Sequence, residues 1–131
     1  MTPTRLARWL LLGAGTMDAA TGLGLSLAPA ATLALMGVVP PGGEALVFLR
    51  WVGAFVGAVG ATYLWGWLHA RRLLRPVLEL TVIFRLAAGV FSAVAIARGW
   101  LTPAWLSVPV TDLALVGVQV LLLAKGAGDH A

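Results

Sequence analysis

Apolar residues in this chain come in long blocks, not in the strict alternation of a half-buried strand. The stretch from Val77 to Ile96 is apolar on nearly every side of a helix. Crossing a hydrocarbon core takes about 20 consecutive apolar residues in an α-helix, and such stretches predict helices at about 7–28, 45–68, 76–98 and 103–125. A transmembrane β-barrel would instead show alternating segments of about ten residues with turn signals between them. The predicted fold class is therefore all-α, an integral membrane four-helix bundle formed by a single transmembrane domain over residues 1–131.

The breaks between blocks carry turn chemistry: Pro29, the run Pro40-Pro41-Gly42-Gly43, the basic linker Arg71 to Pro76, and Gly99 to Thr102. The first loop, 29–44, is the longest. Its segment from Ala30 to Met36 is apolar enough for a short interfacial or re-entrant helix. Pro76 suits the first position of the third helix, where its missing N–H would be unpaired anyway. Thr102-Pro103 reads the same way for the fourth, with a kink expected at Pro109, whose ring would displace the carbonyl of Trp105.

Composition and charge sharpen this picture. Residues are 60% hydrophobic and 11% charged, far from the roughly one quarter charged of soluble domains. The cations Arg5, Arg8, Arg71, Arg72, Arg75 and Lys125 fall on one side of a four-span arrangement, and only Arg98, beside Glu44, falls on the other. The positive-inside rule then puts both termini in the cytoplasm. The six tryptophans fit this frame, with Trp9, Trp65 and Trp67 near the cytoplasmic ends of helices and Trp51, Trp100 and Trp105 near the outer ends. A second reading takes Arg5 and Arg8 as the start of a signal peptide cleaved near Ala28-Pro29-Ala30, but the apolar stretch is longer than such a segment needs and contains Asp18.

Five ionisable residues fall within the spans: Asp18, Arg50, Glu79, Arg85 and Asp112. Inside a membrane such residues are rare and call for named partners. At about 1.5 Å per residue from the cytoplasmic helix ends, Asp18 and Arg85 lie about 14–16 Å in, Asp112 about 20 Å and Arg50 about 27 Å. These depths predict the pairs Asp18 with Arg85 and Asp112 with Arg50. Glu79, four residues after Arg75, is expected to form an interfacial i,i+4 ion pair with it.

Helical periodicity places these groups on inward faces. Thr81, Arg85, Ala88, Gly89 and Ser92 share a stripe opposite Ile83, Ala87, Val90 and Val94. Gly15, Asp18 and Gly22 align in the first span, and Asp112, Leu115, Val116 and Gln119 in the fourth. In the second, Arg50, Gly53, Gly57 and Ala61 recur every three or four residues, and Gly53 and Gly57 predict close helix packing. The polar cluster expected in the interior is thus Asp18, Arg50, Arg85, Asp112 and Gln119. It would either fix helix register or line a small polar cavity for an anion, a polar head group or protons, arginine being suited to carboxylate and phosphate.

Several chemistries lack their residues. The chain has no cysteine, which removes disulfides and thiolate metal sites. The two histidines, His69 and His130, sit at a helix end and in the tail, so no metal site, haem ligation or other cofactor is expected. No serine has a histidine and an acid at matching depth, so no catalytic residue is assigned. Gly13-Ala14-Gly15 lies in an apolar helix with no preceding strand, and it reads as packing, not as a phosphate loop. No basic face interleaved with exposed aromatics suggests nucleic acid. The tail from Gly126 to Ala131 is expected to be too short to fold.

The segment from Leu49 to Gly60, LRWVGAFVGAVG, after an apolar first helix and a Pro-containing loop, resembles the second helix of DoxX-like small bacterial membrane proteins. The resemblance covers about the first half of the chain. It implies four helices and a bacterial inner membrane, and it supplies no functional motif to carry over. Two functions are expected on these grounds. One is a small inner-membrane protein that binds or moves a small polar or anionic ligand in its interior. The other is a non-catalytic accessory or structural subunit of a larger membrane complex, with oxidoreductase complexes among the candidates. The expected partners are the lipid bilayer and either a second copy, through the glycine face of the second helix, or that larger complex.

Overall fold

A computed structural model describes residues 1–129, and His130 lies outside the described residues. The described chain is helical, without strands: α1 (Pro3–Leu27), a short α2 (Pro29–Leu35), α3 (Glu44–Leu68), α4 (Ala70–Ala97) and α5 (Ser107–Ala124), the last preceded by a 3-10 turn at Pro103–Leu106. Four helical segments are long and apolar enough to cross a membrane: α1, α3, α4 and the continuous stretch Pro103–Ala124. At about 1.5 Å per residue even a 22-residue helix spans about 33 Å, enough for a hydrocarbon core of about 30 Å.

Local sequence accounts for most of the ends. Thr2 caps α1 by accepting the Arg5 N–H at 3.2 Å, with Pro3 as the first helical residue. The apolar segment of the first loop does become a helix, α2, started by Pro29. Behind α4, Gly99 takes φ +73°, and the N–H of Trp100 reaches back to the Ala95 carbonyl at 2.8 Å. Behind α5, Gly126 takes φ +84°, and the Ala127 N–H bonds the Leu122 carbonyl at 3.0 Å. Both ends close in the left-handed geometry that glycine adopts without penalty.

Three expectations need correction. The third long helix begins at Ala70 after a single joint residue, His69, so the basic linker is helical and Pro76 lies inside α4. Leu74, Val77 and Leu78 on either side of Pro76 are all buried in the core, and their packing holds the segment helical through the lost hydrogen bond. At the other end, α5 proper starts at Ser107. Pro109 therefore falls in its first turn, where a proline removes no helical bond, and the irregularity is the 3-10 turn that contains Trp105. The third correction concerns the tail. Ala127 is fully buried, the Gly128 N–H bonds Thr4 Oγ1 at 3.1 Å, and Asp129 pairs with Arg75 at 2.5 Å, which folds residues 126–129 back onto the starts of α1 and α4.

Helix α1 lies chiefly against α3, and α4 against α5. Glycine makes the first pairing close: a Cβ on Gly22 would run into the backbone of Gly57, one on Gly53 would come within 2.7 Å of Leu25 Cβ, and one on Gly60 would meet the backbone of Ala19. The glycine contact expected of α3 is therefore made inside the chain, with α1. The buried stripe of α3 is Gly53, Gly60, Tyr63 and Gly66, while Ala61 and Arg50 are exposed.

The outward faces are apolar. Phe55, Trp65, Ile83, Phe91, Val110 and Leu121 are all exposed, whereas the interior holds Thr81, Arg85, Ser92, Gln119 and Asp18. The buried core is itself mainly apolar, so what departs from the usual soluble pattern is an apolar exterior around a few buried charged and polar groups. It matches a chain whose solvent is hydrocarbon, where only groups satisfied by other protein groups can be polar.

Candidate functional site

Each of the four long helices contributes to one buried polar network centred on Arg85. On α4 this side chain has 4% exposure, and it faces Asp18 from α1 and Asp112 from α5, whose side chains are 10% and 14% exposed. Arg85 Nη2 donates to Asp18 Oδ2 at 2.5 Å and Nη1 to Asp112 Oδ1 at 2.7 Å. The third nitrogen, Nε, donates to the Tyr63 hydroxyl from α3 at 2.7 Å. Charge-assisted bonds of this kind are the stronger ones in a protein interior.

The network continues past the charges. The Tyr63 hydroxyl donates to Gln119 Oε1 at 2.6 Å, and Gln119 Nε2 donates to Thr81 Oγ1 at 2.8 Å and to the Leu78 carbonyl at 3.1 Å. Thr81 in turn donates to the Val77 carbonyl at 2.6 Å. Tyr63, Gln119 and Thr81 are all fully buried. Among the described residues, every buried side-chain nitrogen and oxygen has a partner. An unpaired buried polar group costs about twice what a typical hydrogen bond contributes, so completeness matters more here than the number of bonds.

The predicted residues divide as follows. Asp18, Arg85, Asp112 and Gln119 come together, and the pair Asp18 with Arg85 forms as expected. Arg50 does not join them. Its Nη1 donates to the carbonyls of Ser26 at 2.6 Å and Leu27 at 3.3 Å, and Ser26 Oγ donates back to the Arg50 carbonyl at 3.2 Å. Depth alone paired Arg50 with Asp112, but the glycine face turns α3 toward α1 and brings Arg50 to the last turn of that helix. The unsatisfied carbonyls there attract a cation. Asp112 is instead carried toward α4, where Arg85 takes it. Glu79 pairs with Arg75 at 2.9 Å, as its spacing predicts.

Sequence reasoning leaves Tyr63 out of the cluster, and it places Asp112 in the cluster but with Arg50 as its partner instead of Arg85. Tyr63 is the only tyrosine, and it lies three residues beyond Gly60 on the buried small-residue stripe of α3. A phenol on an inward stripe needs a hydrogen-bond partner, and that signal could have placed it in the cluster. Thr81 was recognised as inward-facing, and it supplies the link between Gln119 and α4.

The formal charge of the cluster follows from its members. With all groups ionised, two carboxylates face one guanidinium, so the interior carries one surplus negative charge. Among the described residues, cavities open away from this network. One, of 350 Å³, is an apolar cleft between the end of α4 and the start of α5, with Ile96, Pro109 and Leu113 among its walls. Another, of 520 Å³, lies where α3 meets α4 and is bordered by Arg71 and Arg72. Neither is lined by Asp18, Arg85, Asp112 or Gln119. Among the described residues no group of three histidine, aspartate or glutamate side chains converges in a way that would hold a metal ion.

No protein-family model, no curated protein and no solved structure matches the chain.

Proposed function

We propose that this chain is a multi-pass protein of a bacterial inner membrane with both termini in the cytoplasm, acting as a non-catalytic accessory or structural subunit of a larger membrane assembly. The observation that carries this reading is the closure of Arg85. Each of its three guanidinium nitrogens bonds a protein group, and neither cavity reaches it. An interior that bound or moved an anion would need a free guanidinium edge and a positive surplus, and this cluster has the opposite charge balance. Its role is that of a lock between helices, the use for which buried polar groups are best attested.

Membrane placement rests on the four long apolar helices and their apolar outward faces. The orientation rests on the cations at the ends of α1, α4 and α5, against Arg98 at the opposite end. The inner membrane rests on the same cation pattern and on the resemblance of residues 49–60 to DoxX-like proteins. The test is native electrophoresis of the full chain extracted from its own membrane in mild detergent, followed by mass spectrometry of the band. The accessory reading predicts a stoichiometric protein partner that survives when the charge cluster is replaced by neutral residues. A lone chain that carries a small molecule, and loses it on that replacement, would reject the reading.

A second reading has one observation behind it, the surplus carboxylate. A proton on Asp18 or Asp112 would neutralise the cluster, and a site that takes up and gives back that proton would make the chain a proton-linked module. Infrared spectroscopy distinguishes the two. A carboxylic acid band that vanishes between acid and alkaline pH, and is missing in Asp112→Asn, supports proton exchange, and a band that stays constant leaves the structural reading.

A further inference from the structure

The cations at the Arg71 end fall into two groups. Arg75 is neutralised twice, by Glu79 at 2.9 Å and by Asp129 at 2.5 Å. Arg8 from α1 and Arg71 and Arg72 from α4 have no acidic partner among the described residues, and all three border the same 520 Å³ cavity. That volume lies within the range of about 300–1,000 Å³ typical of small-molecule sites. Arg8, Arg71 and Arg72, from two helices, all line this one cavity, and no carboxylate is on its walls, so its field favours an anion.

The walls of the cavity narrow the choice of anion. Trp67 and Leu68, the last residues of α3, form an apolar side, and Leu68 is exposed on the outer surface of the bundle. His69 fixes the turn between them and Arg71 by placing Nδ1 3.0 Å from the Trp65 carbonyl and its ring against the Trp65 indole. The cavity thus has a cationic rim next to an apolar flank, at the end of two helices long enough to span a bilayer. A phosphate group suits the rim, because guanidinium forks bind its oxygens in pairs. A soluble phosphate would leave the apolar flank wet, whereas a glycerophospholipid would cover it with its glycerol ester and upper acyl carbons. Basic pockets beside cytoplasmic helix ends are sites where anionic head groups collect.

We propose that the cavity bordered by Arg8, Arg71 and Arg72 binds the phosphate of an anionic glycerophospholipid, one molecule per chain. The site rests on the membrane reading above, and it is independent of what the Arg85 network does.

The test is native mass spectrometry of the full chain in detergent, titrated with phosphatidylglycerol, with phosphatidylcholine of the same acyl chains, and with glycerol phosphate. Arg71→Gln/Arg72→Gln is compared with Arg5→Gln/Lys125→Gln, which removes the same charge from the same end without touching the cavity. Helix content measured by circular dichroism verifies that both double variants are folded. The expected result is one retained phosphatidylglycerol, preferred over phosphatidylcholine by about tenfold, the equivalent of 1.4 kcal/mol. That preference should be lost in the cavity variant and kept in the control. Equal loss in both variants, or equal retention of both lipids, would overturn the site. Glycerol phosphate displacing the lipid at matched concentration would overturn its assignment to a lipid. If the chain proved soluble without detergent and retained neither lipid, the membrane reading would fall and take this site with it.

Discussion

Arg85 and Tyr63 meet through one hydrogen bond, Nε to the phenol oxygen at 2.7 Å, with the guanidinium carbon 5.1 Å from the ring centroid, and that hydrogen bond joins the charged half of the interior to its neutral half. On one side of it lie Asp18 and Asp112, and on the other Gln119, Thr81 and two carbonyls of α4. The Tyr63 hydroxyl both accepts and donates, so it sets the direction of every neutral bond beyond it.

Tyr63→Phe keeps the ring and removes this hinge, leaving Arg85 Nε–H and Gln119 Oε1 without partners. Each buried unpaired group costs about 1–3 kcal/mol. The variant should lose stability on that scale in equilibrium unfolding in mixed micelles, with helix content unchanged before the transition. A loss smaller than that of an ordinary exposed substitution would show that water reaches the site and replaces the phenol.

The ion pairs separate in double-mutant cycles. Asp18→Asn with Arg85→Gln, and Asp112→Asn with Arg85→Gln, should each show coupling within the range of about 0.5–3 kcal/mol found for residues in contact. Asp112→Asn with Arg50→Gln should show none, because Arg50 is bonded to Ser26 and Leu27 instead. Arg50→Gln alone should cost about 1 kcal/mol or less, as expected for a cation at an exposed helix terminus.

Glycine substitutions test the α1–α3 contact by position. Gly22→Ala and Gly60→Ala both put a methyl group into the backbone of the facing helix and should destabilise the bundle by about 1–3 kcal/mol or more, as overpacking does. Gly13→Ala and Gly117→Ala meet nothing within 4 Å. They should be neutral or slightly stabilising, since alanine favours a helix over glycine by about 1 kcal/mol. Thermal unfolding of the four variants in one detergent decides it, and uniform losses would mean that α1 and α3 are not in this contact.

The helices were legible because length and apolar character are local properties, and a block of 20 apolar residues has few other uses. The inward faces of α1, α4 and α5 were legible for the same reason: Asp18, Arg85 and Gln119 sit on stripes that periodicity reveals. What failed was information that periodicity does not contain. Depth along a helix says nothing of its rotation, so depth pairs Arg50 with Asp112 although α3 turns it toward the end of α1. Pro76 read as a helix start because the core contacts of Leu74 and Leu78, which carry the helix through it, are tertiary. The sequence pattern does not mark Tyr63, because an aromatic residue in an apolar block reads as lipid-facing until its neighbours on other helices are known. The folding of residues 126–129 depends on Thr4 and Arg75, far away in sequence.

If the Arg85 network is a closed lock, its members matter to one another and not to a ligand. The most direct measurement is the unfolding free energy of Arg85→Met beside that of Asp18→Asn/Arg85→Met/Asp112→Asn. The single variant strands two buried carboxyl groups and should lose about 3–5 kcal/mol, the usual cost of breaking a buried ion pair from one side. The triple variant removes the charges together and should recover most of that loss while retaining its native assembly. A triple variant as unstable as the single one, or a single variant that loses nothing, would contradict the lock.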